Sequence, residues 1–135
     1  NLTTLPALPA TILAESCYYG MFEGCTSLTT APELPATTLT VNCYAYMFRR
    51  CINLTTLPAL PATILAESCY YGMFEGCSKL DYIKMLATNI SATGCLSGWV
   101  SGVASTGTFV KHPNMTSLPT GDSGVPSGWT VVNNG

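Results

Sequence analysis

Charged side chains are scarce in this sequence. Lys, Arg, Asp and Glu make up 9% of its 135 residues, and the net charge is −2, whereas a typical globular domain is about 25% charged. The only adjacent basic residues are Arg49 and Arg50. Because nucleic acids and anionic membranes are bound through basic patches, we expect neither as a partner.

Histidine and long apolar runs are also lacking. His112 is the only histidine, and no apolar run approaches a membrane span, which needs about 20 residues. The segment from Gly121 to Gly124 matches the nucleophile motif of trypsin-like proteases, but no upstream histidine motif and no length for two β-barrels accompany it. A tight turn is the ordinary explanation. The sequence therefore predicts a protein without catalytic residues, cofactor or metal.

What the sequence does contain is a repeat with a period of 26 residues. Residues 1–25 recur unchanged as 53–77, a looser copy fills 27–51, and a degraded fourth copy covers about 79–103. Units of such an array bury their apolar side chains only against neighbouring copies. Since the chain begins inside a repeat, we expect additional repeats or domains before Asn1.

Each repeat combines two apolar patterns. Residues 28–31 are rich in Thr and are closed by Pro32 and Pro35, which predicts a strand of about three to five residues. A second set recurs at intervals of four, which favours one face of a helix about three turns long. Its members in the first repeat are Leu13, Cys17, Met21 and Cys25.

These patterns predict a right-handed α/β repeat solenoid, with short parallel strands on the concave face and short helices on the convex face. Strands stack at about 4.8 Å and helices at about 8–10 Å, so the array should curve. Residues 1–103 are expected to form the four repeats. Residues 104–135 are expected to form a small C-terminal β cap, with Trp99 and Trp129 packed over the last repeat.

The repeats also resemble a known family. The phrase L-x-x-L/A-P-x-L-P, followed by C-Y-x-x-M-F-x-x-C-x-x-L, resembles the BspA-like, or Treponema-type, leucine-rich repeat of surface proteins from gut and oral anaerobic bacteria. The resemblance covers Asn1 to about Val103, and the tail from Trp99 onwards is similar to the C-terminal segment of many gut-bacterial members. It implies a leucine-rich-repeat superhelix, an extracellular location at the bacterial cell surface, and a role in adhesion.

The seven cysteines leave two interpretations open. A disulfide from Cys17 to Cys25 is disfavoured, because eight helical residues span about 12 Å and a disulfide tolerates about 7 Å between Cα atoms. Metal binding would require paired ligands such as C-x-x-C, which are absent. Buried thiols that pack as small apolar residues are favoured over disulfides between neighbouring repeats.

Two other sets of side chains recur in register. Tyr18, Tyr44 and Tyr70 form a column that either stacks on sugar rings or packs between repeats, and packing is favoured. Arg49 falls between Glu23 and Glu75. This predicts a surface ladder of opposite charges, each pair contributing about 0–1 kcal/mol.

Candidate ligand-binding residues are those that distinguish one repeat from its neighbours. They are Glu33, Arg49 and Arg50 in repeat 2, and Tyr82 and Lys84 in repeat 4. Taken with the resemblance, they predict a non-catalytic surface module that binds a protein or glycan on host or neighbouring cells. The alternative is a structural spacer of a longer surface protein with no ligand of its own, which the identity of the first and third repeats favours.

Overall fold

In the residues that the structure describes, the protein forms three short parallel strands and no helix. The computed structural model describes residues 15–16, 18–31, 34, 37–116 and 118–134. Strands β1 (Tyr82–Met85), β2 (Thr108–Lys111) and β3 (Thr130–Asn133) form one sheet in the order β1-β2-β3. Tyr82 pairs with Thr108, which pairs with Thr130.

The predicted α/β solenoid with convex helices is therefore wrong. In place of each predicted helix lies a run of successive tight turns, here called the turn ribbon. It comprises residues 15–16 and 18–24, 41–50, 67–76, and 93–102 in the four repeats. A helix would bond each N–H to the carbonyl four residues earlier. The turns close over three residues instead, as where Cys43 N donates to Thr40 O at 3.2 Å.

The other N–H groups of the turn ribbon bind the next repeat. Tyr44 N donates to Cys69 O at 3.0 Å, and Phe48 N donates to Met73 O at 3.0 Å. Alternate residues thus bond within their own turn and to the neighbouring copy. Turns that advance by two residues reproduce the interval of four that a helix also produces, which is why the apolar pattern predicted the wrong element.

Three positions in every turn ribbon have a positive φ. The columns are Ser16, Asn42, Ser68 and Gly94; Gly20, Tyr46, Gly72 and Gly98; and Gly24, Arg50, Gly76 and Gly102. Glycine adopts this conformation without steric cost, whereas other residues pay about 1–2 kcal/mol. At two of the three positions repeat 2 replaces a glycine that the other three repeats share, with Tyr46 at φ 57° and Arg50 at φ 63°.

Replacing Arg50 with glycine is expected to stabilise the protein. The left-handed backbone costs Arg50 about 1–2 kcal/mol. Glycine removes this cost, but about 0.5–1 kcal/mol of the gain is lost because glycine increases the entropy of the unfolded chain. The free energy of unfolding should rise by about 0.5–1 kcal/mol, measured by urea denaturation. The control is Arg49→Gly, at a position outside the left-handed region, which should lower it; equal effects of both variants would contradict the argument.

Proline decides where strands form. In the described residues, repeats 2 and 3 pair through isolated parallel bridges such as Thr30 with Thr56, rather than through strands. Repeat 3 carries Pro58 and Pro61, and proline has no N–H for a ladder. The fourth repeat has lost both prolines, and β1 forms there.

Aromatic side chains form two stacked columns inside the array. Phe22, Phe48 and Phe74 stack with ring centroids 5.7 and 5.9 Å apart, and Tyr18, Tyr44 and Tyr70 stack at 5.8 and 6.0 Å. Both columns end on Trp99. Tyr44 and Tyr70 are buried, so their column packs between repeats rather than offering ring faces to a sugar.

The described cysteines are free thiols. They are Cys25, Cys43, Cys51, Cys69, Cys77 and Cys95; Cys17 lies outside the described residues. Cys51 Sγ donates to Phe22 O at 3.1 Å, and Cys77 Sγ donates to Phe48 O at 3.0 Å. These six cysteines therefore follow the buried-thiol interpretation and form no disulfides between repeats, although Cys25 remains half-buried.

The C-terminal segment continues the parallel sheet. The sequence predicts strands at 107–111 and 128–132, and β2 and β3 lie at 108–111 and 130–133. Both strands continue the parallel sheet that starts with β1. Trp129 is buried and its Nε1 donates to Ala104 O at 2.7 Å, which ties β3 to the end of the fourth repeat.

Candidate functional site

The predicted ligand-binding residues do not belong to a single element. Tyr82 and Lys84 lie on β1, whereas Arg49 and Arg50 lie on the turn ribbon of repeat 2. Glu33 lies outside the described residues. The two elements are therefore treated as separate surfaces.

The β1 surface is small. Ile83 and Met85 are buried, and Tyr82 and Lys84 alternate with them towards solvent, with Tyr82 39% exposed. Beside them on β2 stand Thr108 and Val110. One exposed ring beside a half-buried lysine makes a modest contact surface.

The turn ribbons bring together a richer set of side chains. Tyr19, Tyr46 and Tyr71 form a row across repeats 1 to 3, here called the tyrosine strip. Neighbouring rings meet edge to face, with centroids 5.6 and 5.3 Å apart. Tyr19 is 51% exposed and Tyr71 is 38% exposed, so the strip faces solvent and differs from the buried tyrosine column.

A one-residue displacement in repeat 2 creates this strip. Repeats 1 and 3 read Tyr19-Gly20 and Tyr71-Gly72, whereas repeat 2 has alanine followed by Tyr46. The backbone of Tyr46 takes the left-handed conformation of the two glycines. A Cβ atom on Gly72 would lie 2.6 Å from the Tyr46 ring. The absence of a side chain at Gly72 therefore makes room for the ring.

Arg49 fixes the position of the central tyrosine. Its guanidinium lies 5.2 Å from the Tyr46 ring centroid, within the range of a cation–π contact. Its Nη1 is 3.3 Å from Glu23 Oε2, and its Nε is 2.5 Å from Glu75 Oε1. Exposed ion pairs add little to stability, so the main effect of this ladder is to hold the arginine over the ring.

The central tyrosine of the strip has a hydroxyl whose pKa is raised. Partial burial, and then the hydrogen bond and charge of the Tyr71 hydroxyl, raise the pKa of Tyr46 above its ordinary value. The phenol therefore keeps its proton and acts as a hydrogen-bond donor. The ring edge and hydroxyl of Tyr46, together with the oriented guanidinium of Arg49, are groups that can bind a ligand.

The serine of the protease-like motif has a structural contact. Ser123 Oγ accepts a hydrogen bond from Gly98 N at 3.0 Å, and Gly124 N donates to Gly121 O at 3.2 Å to close a turn. His112 Nδ1 accepts from Asn114 N at 3.0 Å. Within the described ranges, no three His, Cys, Asp or Glu side chains lie close enough to hold a metal ion.

The sequence predicts Arg49 and Arg50 as ligand-binding residues, a role that stays a prediction. It also marks Tyr46 as a departure of repeat 2 from its neighbours, but it does not mark Tyr19 and Tyr71. It singled out the in-register column of Tyr18, Tyr44 and Tyr70, which is the packed one. The signal that marks the strip is the replacement of glycine by Tyr46 at one place of the repeat. The replacement forces a bulky residue into the left-handed conformation that glycine adopts in the other repeats. It also places an aromatic side chain at a position that has none in those repeats.

Comparison with known proteins adds no functional assignment. The described residues include no helix that is long and apolar enough to cross a membrane. No protein family, no curated protein and no solved structure gives a significant match to this chain.

Proposed function

We propose that this chain is a non-catalytic recognition module of an exported bacterial surface protein, and that it binds a protein ligand through the tyrosine strip. The observation that carries the proposal is Tyr46. A bulky residue in the left-handed region is a conformational outlier, and such strain tends to concentrate at functional sites. The location rests on the resemblance to surface leucine-rich repeats.

The composition of the strip supports a protein ligand. Tyrosine and arginine are enriched at the energetic centres of protein interfaces. The strip combines exposed tyrosines with Arg49, and Met21 nearby in sequence is 50% exposed. These residues stand on ribbons whose hydrogen bonds run from repeat to repeat, so little entropy is lost on binding.

A glycan is the less favoured ligand. Sugars stack on a flat, free ring face. The Tyr46 ring has the Arg49 guanidinium over it and meets Tyr19 and Tyr71 edge to face. The ring faces of the strip are thus partly occupied by their neighbours.

The test uses the repeat itself as the source of matched variants. The full chain is passed over immobilised fibronectin, laminin, collagen and fibrinogen, and over a glycan array. Tyr46→Gly installs the residue that repeats 1 and 3 carry, and should weaken binding to a protein ligand more than about tenfold, as for an interface centre. Tyr82→Thr installs the residue of repeat 3 on β1 and should leave the affinity unchanged.

Three results would overturn this assignment. Unchanged affinity of Tyr46→Gly would exclude the tyrosine strip, and selective loss with Tyr82→Thr would move the site to β1. Absence of any ligand would favour the spacer function. That alternative is supported by the identity of residues 1–25 and 53–77 and by the hydrogen bonds that join each turn ribbon to the next.

A further inference from the structure

The turn ribbon of each repeat has a fixed requirement for hydrogen-bond acceptors. In repeat 3, Ser68 N donates to Thr93 O at 3.0 Å and Tyr70 N donates to Cys95 O at 3.0 Å. The equivalent groups of the two preceding repeats donate to the next copy in the same way. Each ribbon thus presents N–H donors at every second residue, and the following ribbon supplies carbonyl oxygens at the same spacing.

The fourth repeat is covered differently, because no fifth ribbon follows it in the described residues. A loop at 119–125 takes the place of that ribbon over the middle of repeat 4. Ser123 Oγ accepts from Gly98 N at 3.0 Å, and Asp122 O accepts from Val100 N at 3.2 Å. The loop then closes on itself, as Val125 N donates to Pro119 O at 2.9 Å.

Three donors of the fourth ribbon have no acceptor among the described residues, although their equivalents in repeat 3 do: Gly102 N at its exposed end, and the neighbouring pair Gly94 N and Leu96 N. Gly94 N and Leu96 N occupy the positions of Ser68 N and Tyr70 N one repeat earlier. Both residues line a cavity of about 360 Å³ between the ribbon and the loop. The rest of its lining is mainly apolar and includes Ile90, Ala92 and Pro119.

We propose that this cavity binds a segment of a partner polypeptide in the conformation of a turn ribbon, whose main-chain carbonyls accept hydrogen bonds from Gly94 N and Leu96 N. The segment would repeat what the carbonyls of Thr93 and Cys95 do for the preceding ribbon. Two donors spaced two residues apart match the carbonyls of alternate residues of a polypeptide, whereas a single anion satisfies them less completely. A small apolar side chain of the segment lies against Ile90 and Ala92.

This site is independent of the tyrosine strip. It recognises the main chain in the manner of strand addition at a sheet edge, but on a ribbon of turns. The mainly apolar lining, which includes Ile90, Ala92 and Pro119, favours apolar side chains in the bound segment.

Amide hydrogen exchange of the full chain tests the proposal directly. The probe is an acetylated and amidated peptide that copies residues 91–97, the segment that performs this role inside the chain, kept under reducing conditions. With millimolar peptide, exchange at Gly94 and Leu96 should slow by at least about tenfold. Exchange at Gly98 and Val100 should not change, because their N–H groups already have acceptors in the loop.

Variants separate this site from others. Ala92→Trp fills the cavity and should abolish the slowing of amide exchange. Thr116→Trp, at a residue that lines a different cavity, should preserve it. Tyr46→Gly should also preserve it, so that failure of the tyrosine strip and failure of this site are distinguishable. If Ala92→Trp does not fold, exchange in the unmodified chain still decides.

Three outcomes would overturn the proposal. The first is no slowing at millimolar peptide. The second is equal slowing by sodium acetate alone, which would indicate an anion site. The third is slowing that follows protein concentration without peptide, which would assign the cavity to a second copy of the chain.

Discussion

Replacing Trp99 with alanine is expected to lower the free energy of unfolding by about 3–5 kcal/mol. Trp99 is fully buried and terminates both aromatic columns, with its centroid 5.8 Å from Tyr70 and 5.8 Å from Phe74. It also meets the Phe109 ring of β2 edge to face at 6.1 Å. One residue therefore joins the repeats to the strands that follow them.

A hydrogen bond adds to this effect. Trp99 Nε1 donates to Gly124 O at 2.9 Å, within a buried contact, and truncation would leave that carbonyl without the indole donor. The melting temperature of Trp99→Ala should fall by roughly 10–20 °C, given the usual relation between free energy and melting temperature for a chain of this size.

Trp99→Phe is the matched control. It keeps a ring in the stack and removes the Nε1 donor, so the loss should be only about 1–2 kcal/mol, mostly from the hydrogen bond and a small cavity. Urea denaturation of both variants, followed by circular dichroism, measures the difference. A loss for Trp99→Ala no larger than that for Trp99→Phe would show that the stacked ring is not what holds this end together.

The sequence predicts which residues stack, because the same residues recur at a fixed interval. Leu28, Leu54 and Leu80 recur in register and all three are fully buried. The local conformation was not predictable in the same way. A four-residue interval of apolar side chains arises from one turn of helix or from two successive tight turns, and side-chain hydrophobicity does not distinguish them.

The decisive signal for the turns is the glycine pattern. Gly20 and Gly24, like Gly72 and Gly76, recur four residues apart and have positive φ. Glycine inside a helix is unfavourable, so two glycines in one predicted helix argued against it.

The candidate site was predictable in part. The comparison of repeats pointed to Arg49 and Arg50 because they replace other residues. The ion pairs of Arg49 with Glu23 and Glu75 were predictable, because the repeat period places all three residues in register. The structure contains both pairs. The contact between Arg49 and the Tyr46 ring was not predictable. It depends on a tyrosine that is displaced by one residue and occupies the space beside Gly72.

Alkaline pH is expected to unfold the protein at much lower urea concentration than neutral pH. Cys51, Cys69 and Cys77 are inaccessible to solvent. Burial raises the pKa of Cys51 to about 11 and raises the pKa of Cys69 and Cys77 further. The ordinary value in an unfolded chain is about 8.5.

The sign follows from proton binding. Above pH of about 8.5 the unfolded chain releases thiol protons that the folded protein retains, so the free energy of unfolding falls as pH rises. The thiol contribution is fully present below that pH and is lost as pH approaches the folded values. Each thiol contributes about 1.4 kcal/mol per pH unit, so three together give a slope of about 4 kcal/mol per unit between roughly pH 9 and 11.

Because a whole domain is stable by only about 5–15 kcal/mol, losing about 4 kcal/mol for each pH unit is a large effect. Urea denaturation in the presence of a reductant at pH 7.5, 8.5, 9.5 and 10 measures it. The control is Cys51→Ala, which removes one of the three thiols and should reduce the slope above pH 9 by about 1.4 kcal/mol per unit. Stability that stays level between pH 8.5 and 10, or an unchanged slope in Cys51→Ala, would show that these thiols are not shielded as the structure places them.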